Sequence, residues 1–204
     1  MTGKIFLTAL GFYNPKVKEK FETLVGEKKD KNVAIITTAA TDKENNKYAK
    51  IDKDTFSAMG FNSVDFVDLE TEPKKDLSKY DVMHVLGGNS FKLLKFAKEA
   101  EFNKSIDQLL SRGGIYIGLS AGSVIMSPSI QLAQEFEPER NTEIGLTDFS
   151  GLNITPYTIF PHYTEDLEER IKAFEQKHGV KIYRLRNEDA IIHDAIPTSL
   201  ELVA

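Results

Sequence analysis

The chain contains no cysteine. That excludes disulfides, thiolate metal sites and a cysteine nucleophile. No apolar run approaches the roughly 20 residues of a membrane span, and the opening Met1-Thr2-Gly3-Lys4-Ile5-Phe6-Leu7 is too short a run for a signal peptide. A cytoplasmic location is the expectation. There is no basic excess either: 26 Lys and Arg stand against 31 Asp and Glu, a formal net charge of −5. Neither nucleic acid nor an anionic membrane is therefore expected as a partner. Repeats, low-complexity tracts and linkers are also missing, so residues 1–204 are expected to form a single domain with a sizeable core.

What is present is an alternation of apolar runs with amphipathic segments. Ile5–Leu10, Asn32–Thr38, Ser63–Leu69 and Asp81–Leu86 read as strands, and Asn32–Thr38 is apolar on both faces, as a central parallel strand should be. Helices are expected from about Pro15, from Thr41 (whose spacing to Glu44 suits a capping box) to Met59, from Ser90 as N-cap, and over Ser105–Ser111. Pro128–Leu152 shows little periodicity and reads as loops or short antiparallel excursions. Tyr157–Phe160 reads as a strand, Glu165–Gly179 as an amphipathic helix, and Ile182–Leu185 and Ala190–Ile192 as late strands. The end of the chain, Thr198–Ala204, also looks like a strand. The pattern predicts an α/β fold, a three-layer, doubly wound and mostly parallel sheet.

Gly113-Gly114-Ile115-Tyr116-Ile117-Gly118-Leu119-Ser120-Ala121-Gly122-Ser123 carries the chemistry. An apolar strand runs directly into Gly-x-Ser-x-Gly, the pattern of a nucleophile elbow, where small neighbours let the backbone turn sharply beneath an exposed serine. A serine hydroxyl needs a base. Of the four histidines, His178 sits at a helix C-terminus, His84 lies inside an apolar strand as a packed residue, and His193 adjoins Asp194 late in a strand. His162, between a strand and a helix, occupies the kind of sheet edge where catalytic groups gather and is the favoured base. The acid that orients it stays open among Glu135, Glu137, Glu139, Glu143, Asp148, Glu188 and Asp189. The amide of Ala121 comes with the elbow, and a second oxyanion donor is expected from the turn Gly87-Gly88-Asn89-Ser90.

The blocks Leu86-Gly87-Gly88-Asn89-Ser90-Phe91-Lys92-Leu93-Leu94, Gly118-Leu119-Ser120-Ala121-Gly122-Ser123 and Pro161-His162-Tyr163-Thr164, in that order, resemble peptidase family S51, which includes aspartyl dipeptidase and, more distantly, cyanophycinase. The resemblance implies a fold like that of class I glutamine amidotransferases, with serine where those enzymes carry cysteine. It implies Ser120 as nucleophile, His162 as base and Glu135 as the acid, with Glu188 or Asp189 as fallback. Gly88 and Ala121 would supply oxyanion amides, and Asn89 and Tyr163 would lie at the substrate. The family arginine associated with an aspartate side chain aligns near Leu167, and Arg170 is the nearest cation. The implied activity is a serine exopeptidase on dipeptides or short peptides, N-terminal aspartate among the candidates, with no metal or organic cofactor. The alternatives are an isopeptidase or esterase on the same elbow, or a non-catalytic binding protein.

Overall fold

The computed structural model describes residues 2–195 and 200–204. In chain order its strands and α-helices are β1 (Lys4–Thr8), α1 (Pro15–Val25), β2 (Asn32–Ile36), α2 (Lys47–Ala58), β3 (Ser63–Val67), β4 (Val82–Val85), α3 (Ser90–Glu99), α4 (Phe102–Ser111) and β5 (Ile115–Leu119). There follow α5 (Ala121–Val124), α6 (Gln131–Phe136), β6 (Thr158–Pro161), α7 (Glu168–His178), β7 (Ile182–Leu185), β8 (Ala190–Asp194) and β9 (Leu200–Val203). Seven strands form one sheet in the order β3-β2-β4-β5-β1-β8-β9. The first five run parallel, β1 pairs antiparallel with β8, and β8 antiparallel with β9.

The two-residue period of the strands divides the core into two layers. Ile5 and Leu7 of β1, with Ala34 and Ile36 of β2, pack with Phe91, Leu94, Phe102 and Ile106 of α3 and α4. The alternate residues Phe6, Val33 and Ile35 pack with Val17 and Phe21 of α1 and Phe56 of α2. The sheet thus lies between α1 and α2 on one face and α3, α4 and α5 on the other, the three-layer arrangement expected. Among the described residues no helix is long and apolar enough to cross a membrane.

Four expectations need correction. The helix expected from Thr41 starts later. Asp42 and Lys43 take left-handed φ values of 61° and 49°, a 3₁₀ turn spans Lys43–Asn45, and Asn46 caps α2 by accepting the Tyr48 amide at 2.9 Å. At α3 the cap is Asn89 rather than Ser90. The Asn89 Oδ1 reaches the amides of Phe91 (2.9 Å) and Lys92 (3.1 Å), so Ser90 becomes the first helical residue. Within Pro128–Leu152 the structure builds α6, alongside a single antiparallel bridge from Ser129 to Ser150. Finally, β6 does not join the main sheet. It pairs in parallel with β7, Thr158 opposite Ile182, as a separate two-stranded sheet with α7 as the crossover between them. The C-terminal strand is present from Leu200, while Thr198 and Ser199 lie outside the described residues.

Candidate active site

β5 lies between β4 and β1 in the middle of the main sheet. Its last residue is Leu119, α5 begins at Ala121, and the whole reversal falls on Ser120, with φ 49° and ψ −105°. A residue with a side chain is costly there, on the order of 1–3 kcal/mol, and persists only where surroundings over-determine it. They do. The Ser120 amide donates to the Thr8 carbonyl of β1 at 2.9 Å, and its carbonyl accepts from Ser123 (2.8 Å) and Val124 (3.0 Å). Ser123 Oγ accepts the Thr8 amide at 2.8 Å and lies 2.8 Å from the carbonyls of both Thr8 and Gly118. The flanking glycines let the turn close. A Cβ on Gly118 would stand 2.6 Å from the Gly122 carbonyl carbon, and one on Gly122 would stand 2.4 Å from the Val85 oxygen.

Ser120 opens into a cleft of about 930 Å³ that is also lined by Gly87, Gly88 and His162. Here the structure brings serine and histidine together: His162 Nε2 lies 3.0 Å from Ser120 Oγ. His162 follows β6 directly and has a left-handed φ of 58°. The next residue, Tyr163, donates its amide to the Leu185 carbonyl at the end of β7, 2.9 Å away, which fixes the turn.

The other ring nitrogen meets a residue that no acid-based search would select. His162 Nδ1 lies 2.8 Å from Asn187 Oδ1. A carboxamide oxygen only accepts, so Nδ1 carries the hydrogen and Nε2 is left to accept from the serine. Asn187 lies in the Arg186–Asp189 turn joining β7 to β8. That turn is closed by the Asp189 amide on the Arg186 carbonyl (3.1 Å) and by Asp189 Oδ2 accepting the Arg186 amide (2.9 Å). Asn14, at the start of α1, braces it by donating to the Glu188 carbonyl at 3.0 Å.

The structure does not place Glu135 beside His162. On α6, Leu132, Ala133 and Phe136 face the cleft, and this phase turns Glu135 towards α7, where its carboxylate lies 3.6 Å from Lys177 Nζ. Its carbonyl accepts from Arg170 Nη2 at 3.3 Å. Of the fallback acids, Asp189 spends its carboxylate on its own turn, and Glu188 contributes its backbone carbonyl to Asn14. Glu137 pairs with Arg140 at 2.8 Å. Asp148 pairs with Lys98 at 2.7 Å, and that hydrogen bond, with those from Ser150, holds its carboxyl well below the usual range.

Gly88 stands at φ +139°, and a Cβ there would lie 2.0 Å from the Ala39 oxygen, so only glycine fits. Among the described residues neither the Gly88 nor the Ala121 amide has a backbone acceptor, whereas the neighbouring Asn89 amide bonds Ala39. Asn89 itself is not turned to the serine. Its oxygen caps α3 and its Nδ2 donates to the Arg140 carbonyl at 2.7 Å. Tyr163 does not line the cleft; it packs against the small apolar cluster of Leu132, Ile171, Phe174 and Ile182, its hydroxyl pushed up by burial and by a hydrogen bond to Glu168. Leu167 lines the cleft, whereas Arg170 stacks on Phe136, 4.2 Å from the ring centre.

The remaining histidines have structural partners. His84 is buried, its Nε2 2.9 Å from Asp52 Oδ2. His193 Nδ1 lies 2.7 Å from the Asp194 carbonyl, and burial lowers its pKa. His178 stacks on Phe174 at 4.1 Å.

Comparison with known proteins agrees with this architecture. The family model described as peptidase family S51 matches residues 5–195. An uncharacterized peptidase of Listeria monocytogenes is 31% identical over 169 residues, covering 79% of this chain and 81% of its own. A peptidase E of Nostoc is 29% identical over 156 residues, covering 71% and 61%. A crystal structure from Listeria monocytogenes, assigned as a candidate peptidase E, superposes with a TM-score of 0.78 at 28% identity, covering 100% of this chain and 98% of that one. The chain belongs to peptidase family S51.

Proposed function

We propose that this peptidase is a serine enzyme acting on dipeptides or other short peptides, with Ser120 as nucleophile and His162 as general base. The observation that carries the reading is the 3.0 Å separation of Ser120 Oγ and His162 Nε2 at an elbow whose backbone is held in a strained conformation. Ser120 Oγ attacks the scissile carbonyl as its proton passes to Nε2. The amides of Gly88 and Ala121 receive the oxyanion. His162 then gives the proton to the leaving amine, and water, deprotonated by the same nitrogen, clears the acyl-enzyme. Asn187 acts as a positioning residue in place of the expected Glu135, holding the Nδ1–H tautomer without adding charge. A cleft of about 930 Å³ suits a ligand of a few residues.

The test is hydrolysis of Asp-Leu, Glu-Leu, Ala-Leu and Lys-Leu by the wild type and by Ser120→Ala. At least one dipeptide should be cleaved, and the variant should lose at least roughly 10⁴-fold in kcat while its circular dichroism and Tm stay at the wild-type values. Hydrolysis that survives in Ser120→Ala would sink the serine mechanism.

A further inference from the structure

The chain on either side of His162 builds one wall of the cleft. Phe160 and Pro161 precede the histidine and Leu167 follows it, and all three line the cleft with Leu132 and Phe136 from the segment after the elbow. Phe136 and Phe160 meet edge to face, ring centres 4.8 Å apart. Neither is fully buried, yet both are backed by the buried cluster of Leu132, Ile171, Phe174 and Ile182. The result is a preformed apolar recess, rigid behind and open in front, next to the nitrogen that takes the serine proton.

The charges around this wall are already engaged. The Arg170 guanidinium lies over the Phe136 ring at 4.2 Å and donates to the Glu135 carbonyl at 3.3 Å. Arg140 is paired with Glu137 at 2.8 Å. An acidic side chain entering the recess would lose water against apolar surface, and to reach a cation it would have to draw Arg140 from Glu137 or Arg170 from the Phe136 ring. A large apolar side chain would cover Leu132, Phe136, Phe160 and Leu167 at no such cost.

We infer that this recess is the specificity subsite of the enzyme and that it takes a large aliphatic or aromatic side chain in preference to an acidic one. The inference rests on the serine-peptidase reading and deepens it. A direct test is the rate at which Ser120 is labelled by fluorophosphonates carrying a methyl, a phenethyl or a carboxyethyl group on phosphorus, followed by intact mass. In each reaction Ser120 Oγ forms the P–O bond, fluoride leaves with the P–F electron pair, and the serine proton goes to His162. The phenethyl probe should label at least about tenfold faster than the methyl probe, and the carboxyethyl probe no faster than methyl. In Leu167→Lys the phenethyl-to-methyl ratio should collapse and the carboxyethyl-to-methyl ratio rise. Equal rates for methyl and phenethyl in the wild type, or carboxyethyl as the fastest probe, would overturn the subsite. Failure of all three to label Ser120 in folded protein would remove the serine reading itself, and the subsite with it.

Discussion

Ser120 and His162 meet at 3.0 Å but are held by opposite means. The serine stands on a central strand of a seven-stranded sheet, in a frame of buried backbone hydrogen bonds and glycine contacts too close for any side chain. The histidine and its partner Asn187 stand at the tips of a separate two-stranded sheet, exposed, each on a turn closed by a few hydrogen bonds. Packing fixes the serine, whereas local turn chemistry fixes the histidine. Damage to the frame beneath Ser120 should appear first as lost stability, and damage to the turns that hold His162 as lost rate alone.

The largest effect expected from a change confined to those turns is that of Asn187→Leu. With no acceptor for Nδ1–H the ring loses its tautomer and orientation, and kcat/KM should fall by roughly 10² to 10⁴ with Tm unchanged. Asn187→Asp sharpens the same point, because a carboxylate favours the imidazolium and should move the acid limb of kcat/KM upward by about one to three pH units. A kcat/KM for Asn187→Leu within threefold of wild type would show that the asparagine is only a turn residue. Gly122→Ala attacks the frame beneath Ser120. The new Cβ meets the Val85 oxygen at 2.4 Å, and chemical denaturation should show a loss of about 1–3 kcal/mol together with reduced activity.

A smaller effect is expected from acid. Arg184 clamps β7 to α7 through Glu175 (2.6 Å) and Glu168 (3.1 Å), and the Arg184 hydrogen bonds hold both carboxyls below their usual 4.5. A lowered folded-state value stabilises above the unfolded one and is lost as pH falls through it. The chemical-denaturation midpoint should therefore fall as pH drops below the carboxyls' usual 4.5, and Arg184→Gln should flatten that dependence. The smallest effect is reserved for Glu135→Gln: with its carboxylate at Lys177 and not at His162, kcat/KM should stay within about twofold of wild type. A hundredfold loss there would restore the glutamate as the orienting acid.

The same division decides what could be read from the sequence. Strands β1, β2, β4 and β5 announce themselves because strands covered on both faces are continuously apolar, and the elbow because its glycines are forced by close approach. The histidine was legible as a residue at a strand end. Its partner was not. Asn187 lies in a polar turn where asparagine is commonplace, and a search for acids passes over an amide. The Glu135 expectation comes from the family resemblance, carried along the chain by spacing, and α6 sets a helical phase that spacing does not give. The separate β6–β7 sheet was hidden because each strand is short and their pairing depends on partners outside the segment. The family resemblance puts Asn89 at the substrate, but in this structure its oxygen is committed as a helix cap.

The position of β1 bears on the order in which the protein assembles. This strand comes first in the chain, yet Ile5 pairs with Tyr116 on one side and His193 on the other, and its Thr8 holds the backbone of Ser120. The β6–α7–β7 unit closes over a far shorter stretch, Thr158 to Ile182. Loop closure favours the shorter connection, so His162 should be in place while the serine turn is still soft, with β6–β7 amides protected before those of β1 in pulsed hydrogen exchange. In a chain that folds in this order the turn at Ser120 is the last part of the cleft to become rigid, because it waits for β1 to find β5 and β8.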